Sequence, residues 1–344
     1  MNIQKNIPLA QYTTFKIGGS ARFFVKVKSE EEVLEALKFA QEKNLPVFVL
    51  GGGSNVLVSD KGFDGLVIRI QNSKFKIPAF AKASAGRQNS TIECDAGCPL
   101  GKIVNESIKY GLSGLEWAAG IPGTIGGAVR GNAGAPWGCM ADAVENIRVL
   151  DISNFQFPIS NKIPSPKSQS RVKDYKFKDC KFSYRNSIFK QNSNLIILSV
   201  ELKLKKGNRK ESEKLMKEIL AKRKVNQPAD FPSPGSFFKN PAVKDKKLIS
   251  EFEKDTGLKI KENKSLYHNA GLEIKIPAGY LIDQLDLRGK KIGGAMVSEE
   301  HANFIVNTGN ATAENVIMLA AIIKTKVRNK FGIQLQEEVQ MVGF

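Results

Sequence analysis

The sequence is poor in the residues that build metal centres and disulfide frameworks. Its 344 residues include four cysteines and two histidines, and no two cysteines stand at the two-residue spacing typical of zinc ligands. Long apolar runs are also missing, since the stretch from Val316 to Ile323 is far shorter than the roughly 20 residues of a bilayer span. The first residues lack the apolar run of a secretory signal. We therefore expect no metal site, no membrane span and a cytoplasmic protein.

Acidic residues are in the minority. The chain has 52 lysines and arginines against 34 aspartates and glutamates, a formal charge of +18. This excess favours an acidic partner, such as a nucleic acid, an anionic membrane or a substrate with phosphate and carboxylate groups. Apolar residues make up 42% of the chain, which excludes a disordered or collagen-like protein, and its length predicts two or three domains.

The first third of the chain shows the alternating strands and helices of an α/β protein. Ser29 and Glu32 form a capping box that predicts a helix ending near Asn44, and a strand follows at 47–50. The same reasoning along the rest of the chain predicts further elements. They are strands at 67–70, 195–204 and 333–342, helices at 99–110, 211–224, 278–285 and 313–330, and an exposed loop at 154–173.

A glycine turn directly follows the predicted strand at 47–50. Residues 51–55 read Gly-Gly-Gly-Ser-Asn, where missing side chains let backbone N–H groups approach an anion. A dinucleotide fingerprint would need a third glycine where this chain has Val56, and it would lead into a helix. The turn therefore indicates either an anion site outside the Rossmann class or a tight hairpin without a ligand.

A second glycine-dense segment covers residues 120–128 and contains Pro122-Gly123-Thr124-Ile125-Gly126-Gly127. Two separate turns that offer backbone donors suit a diphosphate-containing cofactor better than a single anion. The alternative is a pair of structural turns in a large sheet.

Six motifs in order carry a family resemblance. They are Tyr-Thr-Thr-Phe-Lys-Ile-Gly-Gly at 12–19, the turn at 51–55, Pro-Gly-Thr-Ile-Gly-Gly at 122–127, Tyr-Arg-Asn-Ser at 184–187, Gly-Ser-Phe-Phe-Lys-Asn-Pro at 235–241, and Glu-Val at 338–339. The set resembles the UDP-N-acetylenolpyruvoylglucosamine reductases over nearly the whole chain. The motif at 235–241 is the most diagnostic.

The resemblance implies a three-domain flavoprotein of mixed α/β and α+β class. Domain 1 would cover 1–75, joined by a C-terminal strand at 333–344, and domain 2 would cover 76–226. Together they would form an FAD-binding unit of the PCMH/VAO type. A smaller α+β substrate-binding domain would cover 227–332.

The resemblance also implies the reaction and its partners. Non-covalently bound FAD and the co-substrate NADPH would reduce the enolpyruvyl ether of UDP-N-acetylglucosamine to UDP-N-acetylmuramate, in peptidoglycan precursor synthesis. Hydride from flavin N5 would reach C3 of the enolpyruvyl group, and a proton would reach C2. The expected partners are this UDP-sugar and NADPH, with no nucleic acid and no membrane, and we expect a monomer.

Site residues are carried over by the same resemblance. Ser236 would protonate C2, while Arg185 and Glu338 would stabilise the enolate-like intermediate, with Glu337 as the fallback for Glu338. Substrate-binding residues would be Tyr184, Lys239 and Asn240. The cofactor-binding residues would be Gly51, Gly52, Gly53, Ser54, Asn55, Pro122, Gly123, Thr124, Gly126, Gly127 and Ala128.

The chain also departs from the family pattern. Only 51 positions separate Arg185 from Ser236, which resembles the shorter family type without a substrate-covering tyrosine loop. Arg130-Gly131 replaces a larger, less polar pair, and Gln340 stands where an arginine is common. The stretches at 78–90 and 154–174 resemble lineage-specific insertions, to which we assign no function.

Two rival functions remain open. One is another FAD oxidoreductase of the same fold, such as a sugar or hydroxyacid oxidase, although 51–58 lacks the His or Cys that often attaches FAD covalently. The other is a nucleic-acid-binding protein, motivated by the charge of +18. Against it, the basic residues are spread along the chain and no binding module is recognisable.

Overall fold

The computed structural model describes residues 1–77, 89–153, 171–258 and 274–344. The insertions expected at 78–90 and 154–174 lie mostly outside these ranges. The chain divides into two compact units. Unit 1 contains residues 1–7, 21–52 and 64–221, and unit 2 contains residues 8–20, 53–63 and 222–344. The division into three domains stays a prediction.

The described helices and strands follow the chain order. The helices are α1 (Glu30–Glu42), α2 (Leu100–Lys109), α3 (Ile125–Arg130), α4 (Ile188–Gln191), α5 (Arg209–Asn226), α6 (Lys246–Thr256), α7 (Ala278–Asp283) and α8 (Ala313–Phe331). The strands are β1 (Gln4–Pro8), β2 (Ser20–Val27), β3 (Val47–Leu50), β4 (Val56–Val58), β5 (Phe63–Ile70), β6 (Phe75–Lys76), β7 (Asn89–Asp95), β8 (Leu112–Ser113), β9 (Gly134–Ala135), β10 (Gly138–Cys139), β11 (Val144–Asp151), β12 (Arg171–Lys176), β13 (Leu195–Lys206), β14 (Lys291–Ile292), β15 (Ala295–Val297), β16 (Ile305–Asn307) and β17 (Gln340–Val342).

The first sheet of unit 1 has the order β1-β2-β5-β3, with β3 parallel to β5. Helix α1 buries Val33, Leu37 and other apolar residues in the same core as this sheet. The predicted cap is present, because the Ser29 side chain accepts a hydrogen bond from the N–H of Glu32. Strand β3 ends at Leu50, so the first glycine turn directly follows this edge strand of the sheet.

The second sheet of unit 1 has the order β12-β11-β13-β7-β6 and is antiparallel. Helices α2 and α3 share its core, which includes Ile103 and Val129. The segment between β7 and α2 lies next to the start of α3, and this contact positions the second glycine turn.

Unit 2 is built around β14-β15-β16 and the long helix α8. The buried face of α8 includes Val316, Leu319 and Ile323. Its first N–H groups, at Ala313 and Glu314, donate to the carboxylate of Asp60 at 2.8 and 3.0 Å. Negative charge at a helix N-terminus is stabilising, so Asp60 ties its own segment to α8.

Three predicted elements differ from the structure, the first being the strand expected at 67–70, which begins earlier, at Phe63. Residues 333–342 were expected to form one strand, but only Gln340–Val342 does, as β17 parallel to β4. Upstream of β17, Leu335 and Val339 are buried in the core of unit 2 without belonging to a strand. The end of the expected loop at 154–173 is also wrong, because β12 begins at Arg171. The sequence of β12 is rich in charged residues and therefore does not resemble a buried strand. Such residues are common in strands that, like β12, lie at the edge of a sheet.

Within the described ranges, none of the helices has both the length and the apolar character needed to cross a bilayer.

Candidate active site

The two glycine turns meet within unit 1. A Cβ added at Gly52 would lie 2.7 Å from the Cα of Gly123, and one added at Gly51 would lie 2.7 Å from Oγ1 of Thr124. Real side chains are not found at such distances, so only glycine allows the two backbones to approach this closely. The sequence separates these turns by about 70 positions, and the fold brings them into contact.

Backbone bonds to the β7–α2 segment hold the second turn in place. The N–H of Ile125 donates to the carbonyl of Cys98 at 2.9 Å, and the N–H of Gly126 donates to that of Ala96 at 2.8 Å. In return, Leu100 donates to the carbonyl of Gly123 at 3.0 Å. The start of α3 is therefore fixed, and the Thr124 side chain caps it by accepting from Gly127.

The meeting point of the two turns offers unused backbone donors. Four of its N–H groups, all on half-buried residues, donate to no protein acceptor among the described residues. They belong to Gly51, Gly52, Gly123 and Thr124. Converging N–H groups on side-chain-poor backbone form an anion-binding concavity, so this cradle fits a diphosphate.

Arg185 lies on a tight turn that is tied to α3. Ser183 and Asn186 exchange two backbone hydrogen bonds of 3.1 Å, and Arg185 adopts a left-handed φ of 54°. Nδ2 of Asn132 donates to the carbonyl of Ser183 at 2.9 Å, and Oγ of Ser187 donates to that of Arg130 at 2.7 Å. Because Arg130 ends α3 and Thr124 begins it, the turn with Arg185 and the second glycine turn belong to one fixed assembly in unit 1.

Tyr184 and Gly134 flank the Arg185 guanidinium. Its Cζ lies 5.4 Å from the centre of the Tyr184 ring, a cation–π distance. Its Nη1 lies 3.3 Å from the place where a Cβ on Gly134 would stand, so a side chain there would crowd it. Both neighbours restrict the direction of the planar fork.

In unit 2, Ser236 and Glu338 lie on two chain segments that pair with each other. Glu338 donates its N–H to the carbonyl of Phe237 at 2.8 Å, and Lys239 donates to the carbonyl of Gln336 at 2.9 Å. Ser236 directly precedes Phe237 and is half-buried. The two motifs at 235–241 and 338–339, almost 100 residues apart, thus form one small antiparallel ladder.

The neighbouring glutamates have different surroundings. The carboxylate of Glu337 pairs with Nζ of Lys324 on α8 at 2.8 Å. Adjacent residues in extended backbone project to opposite sides, so Glu338 is directed away from that ion pair. The choice of Glu338 over the fallback Glu337 stays a prediction.

Asn240 and Asn55 have structural contacts beside the expected binding roles. Oδ1 of Asn240 accepts from the N–H of Ala278 at 3.1 Å and caps α7. Nδ2 of Asn55 donates to the carbonyl of Glu338 at 3.1 Å, and its own carbonyl accepts from Gln340 at 3.0 Å. Asn55 therefore holds the backbone of Glu338 in unit 2.

The expected site residues are shared between the two units. Unit 1 contains Gly51, Gly52, Pro122, Gly123, Thr124, Gly126, Gly127, Ala128, Tyr184 and Arg185. Unit 2 contains Gly53, Ser54, Asn55, Ser236, Lys239, Asn240 and Glu338. Each group is brought together within its own unit, and the roles of these residues stay predictions.

Comparisons with known proteins give matches to both the N-terminal and the C-terminal part of the chain. A family described as the FAD binding domain matches residues 21–154, and one described as the C-terminal domain of UDP-N-acetylenolpyruvoylglucosamine reductase matches residues 227–342. The UDP-N-acetylenolpyruvoylglucosamine reductase of Caldanaerobacter subterraneus subsp. tengcongensis is 36% identical over 338 residues, 98% of this chain and 93% of that protein. The chain belongs to this reductase family.

Other members of the family show the same full-length match. The reductase of Synechococcus sp. strain WH7803 is 37% identical over 346 residues, 99% of this chain and 94% of that protein. The crystal structure of the reductase from Thermus caldophilus has 31% identity and a TM-score of 0.69, and the match covers 99% of both chains. The predicted fold class is confirmed, as is the prediction of an oxidoreductase with FAD as its cofactor. NADPH as the co-substrate is consistent with membership of this reductase family.

Sequence reasoning missed several residues that hold the site. Asn132 supports the turn of Arg185, and the carbonyls of Ala96 and Cys98 hold the second glycine turn. Backbone carbonyls carry no residue signal, so no motif could have revealed the last two.

His301 is a half-buried histidine close to the serine segment. Its Nδ1 accepts from the N–H of Asn303 at 3.1 Å, and its ring packs 4.8 Å from that of Phe304. Burial, and secondarily the positive charge of Arg288, lowers its pKa from the ordinary 6.5, against an opposing effect of Asp283. The folded protein therefore favours neutral imidazole.

We expect this histidine to make the fold less stable in acid. Because its folded pKa lies below its unfolded value, its stabilising effect is complete above about pH 6.5 and is lost as pH falls through the folded pKa. His301→Gln removes the titration and keeps an acceptor. The wild-type melting temperature should fall more steeply than that of His301→Gln between about pH 6.5 and 5, while the two curves run parallel above about pH 7.5. Equal slopes at low pH would refute the assignment.

Proposed function

We propose that the protein reduces the enolpyruvyl ether of UDP-N-acetylglucosamine to UDP-N-acetylmuramate, with NADPH as the source of reducing equivalents. The ladder that pairs the segment of Ser236 with that of Glu338 carries this proposal. It joins the two motifs that the resemblance assigns to proton donation and charge stabilisation. Relatives with the corresponding name over nearly the whole chain support it.

The glycine turns of unit 1 would hold FAD. The four N–H groups without a protein acceptor in the described part of the chain suit the diphosphate, and the missing side chains leave room for its close approach. When bound, this cofactor would supply a hydride from its N5 to C3 of the enolpyruvyl group. We assign cofactor contacts also to Gly53, Ser54, Asn55, Gly126, Gly127 and Ala128.

Arg185 would bind the substrate carboxylate. Hydride addition at C3 leaves negative charge at C2 and on this carboxylate, and a guanidinium offers two parallel donors to it. The turn at 183–186 and its bonds to α3 restrict the Arg185 backbone before substrate binds. Pre-oriented donors stabilise developing charge better than mobile ones, because they need no reorganisation during the reaction.

Ser236 would donate a proton to C2. A serine hydroxyl is a poor acid in water, but a carbanion-like centre is basic enough to take its proton where geometry is fixed and water is excluded. Glu338 would stabilise the same intermediate, and it can donate a hydrogen bond to an enolate only while its carboxyl carries a proton. Tyr184, Lys239 and Asn240 would bind the substrate, the last through groups other than the Oδ1 that caps α7.

Two half-reactions of the purified protein test this function. We expect a yellow protein whose flavin is bleached by NADPH without oxygen and reoxidised by the enolpyruvyl UDP-sugar, with one UDP-N-acetylmuramate formed per flavin. UDP-N-acetylglucosamine, which lacks the enolpyruvyl group, is the control and should not reoxidise it. Bleaching of the flavin by a sugar or a hydroxyacid, with reoxidation by oxygen and not by this substrate, would favour the rival oxidase. A colourless protein that binds DNA and takes up no FAD would favour the nucleic-acid-binding function.

A further inference from the structure

Asn303 makes three hydrogen bonds to the two residues that follow Ser236. Its backbone carbonyl accepts from the N–H of Phe237 at 2.7 Å, its Oδ1 accepts from the N–H of Phe238 at 2.9 Å, and its Nδ2 donates to the carbonyl of Phe238 at 2.8 Å. Asn303 is 3% exposed, so water does not compete for these groups. None of these contacts belongs to the reaction proposed above.

The side chain of Asn303 extends a backbone hydrogen-bond ladder at the point where the backbone itself can no longer continue it. Residues 232–237 run antiparallel to 303–307, with bonds from Asn307 to Pro232 and from Phe237 to Asn303. The chain then turns at His301, where Phe304 donates back to its carbonyl. A side-chain amide carries a donor and an acceptor side by side, as a peptide group does. It therefore replaces the missing backbone partner of Phe238.

The segment that contains Glu338 lies along the opposite backbone edge of the same two phenylalanines. The carbonyl of Phe237 accepts from the N–H of Glu338, and both rings are buried in the core of unit 2, 5.1 Å apart. Phe237 and Phe238 therefore lie between Asn303 on one side and the Glu338 segment on the other. The backbone that carries Ser236 has no other direct side-chain support from the described residues at these two positions.

We propose that Asn303 is a positioning residue for Ser236, a role that rests on the function proposed above. It fixes the backbone of 237–238, and this sets the place of the Ser236 hydroxyl relative to Glu338. Asn303 itself touches neither substrate nor cofactor in this proposal. A hydroxyl that acts as an acid through geometry is sensitive to small displacements, since a shift of about 1 Å can cost about 100-fold in rate.

Asn307 provides a matched control. It lies at the other end of β16, is 7% exposed and also makes three side-chain bonds, to Phe15, Gly309 and Ala311. Its side chain makes no bond to 235–238 among the described residues. A purely structural role for Asn303 predicts that alanine at either position has the same effect on the reaction.

The test measures the two half-reactions of the FAD-loaded Asn303→Ala and Asn307→Ala variants. For Asn303→Ala we expect reoxidation by the enolpyruvyl substrate to slow at least about ten-fold at saturation, with NADPH bleaching within about two-fold of wild type. Asn307→Ala should leave both rates within about two-fold. Equal slowing of reoxidation in the two variants, or none in Asn303→Ala, would overturn the proposal.

A double-mutant cycle shows whether Asn303 acts through Ser236. If it does, adding Asn303→Ala to Ser236→Ala should change the remaining reoxidation rate by less than about two-fold, because the group that was positioned is already absent. Additive losses would refute a positioning role. The Ser236→Ala variant alone also separates the two hypotheses: wild-type reoxidation in it contradicts the role of Ser236, whatever Asn303→Ala does.

A second variant, Asn303→Asp, keeps the test decisive if Asn303→Ala does not fold. Asn303→Asp has nearly the same shape and keeps the acceptor for the N–H of Phe238, but it places an oxygen against the carbonyl of Phe238. If Asn303→Ala does not bind FAD, the same criteria apply to Asn303→Asp, for which we expect the same selective loss. Amide hydrogen exchange at Phe238 should be faster in the variant used. Unchanged exchange there would contradict the proposal that Asn303 fixes the backbone of 237–238.

Discussion

Replacing Ser236 by alanine should separate the two half-reactions completely. We expect NADPH to bleach the flavin of Ser236→Ala at about the wild-type rate, because the hydroxyl has no part in that step. Reoxidation by the enolpyruvyl substrate should slow by about 100-fold or more, since a positioned general acid contributes about 10²- to 10⁴-fold. Stopped-flow absorbance of the flavin under anaerobic conditions measures both rates in one preparation.

Ser233→Ala is the matched control for this prediction. Ser233 lies in the same segment, and its Oγ accepts only from the N–H of Gly235 among its described partners, at a long 3.4 Å. We expect both of its half-reactions to match the wild type. Equal losses in the two serine variants would indicate a disturbed segment, and wild-type reoxidation in Ser236→Ala would remove Ser236 from the mechanism.

The local parts of the fold were predictable from the sequence. The cap at Ser29 and the glycines after α2 and α8 are signals that act over a few residues. Gly111 and Gly332 both adopt the left-handed φ of 67° that favours glycine at such ends. Each of these helices begins and ends within two residues of its prediction, because its boundary chemistry lies within the chain segment itself.

The non-local parts were not predictable in the same way. The strand expected at 333–342 shortened to β17, since residues 336–338 bond to the backbone of 237–239 in place of a sheet. No pattern in either segment indicates that pairing. The two hydrogen bonds between the Asn303 side chain and the Phe238 backbone likewise become visible only when two distant segments lie side by side.

The candidate site shows the same division. Residue types pointed to the glycine turns, whereas Arg185 and Ser236 were assigned through the family resemblance. The groups that hold them are mostly backbone atoms and short polar side chains, such as Asn132 and Asn55. Many sequences supply such groups, so their importance depends on the three-dimensional neighbours alone.

Replacing Gly52 by valine should strongly weaken FAD binding while the protein remains folded. The new Cβ would lie 2.7 Å from the Cα of Gly123, and this neighbour is backbone that cannot rotate away. The two glycine turns must therefore separate, which moves the unused N–H groups apart. Overpacking of this kind costs about 1–3 kcal/mol, so we expect FAD affinity to fall by about 10- to 100-fold or more. Titration of the apoprotein with FAD, followed by flavin fluorescence, measures this change.

Gly101→Ala is the control for a glycine that has no such neighbour. A Cβ there meets nothing within 4 Å, and Gly101 lies in α2, where alanine stabilises a helix by up to about 1 kcal/mol. We expect wild-type FAD affinity and an equal or higher melting temperature in this variant. Both apoproteins should keep the far-ultraviolet circular dichroism of the wild type. A loss of FAD affinity in Gly52→Val would then result from the changed geometry of the cradle and not from unfolding. Wild-type affinity in Gly52→Val would place the diphosphate elsewhere, whereas a loss in both variants would reflect general destabilisation.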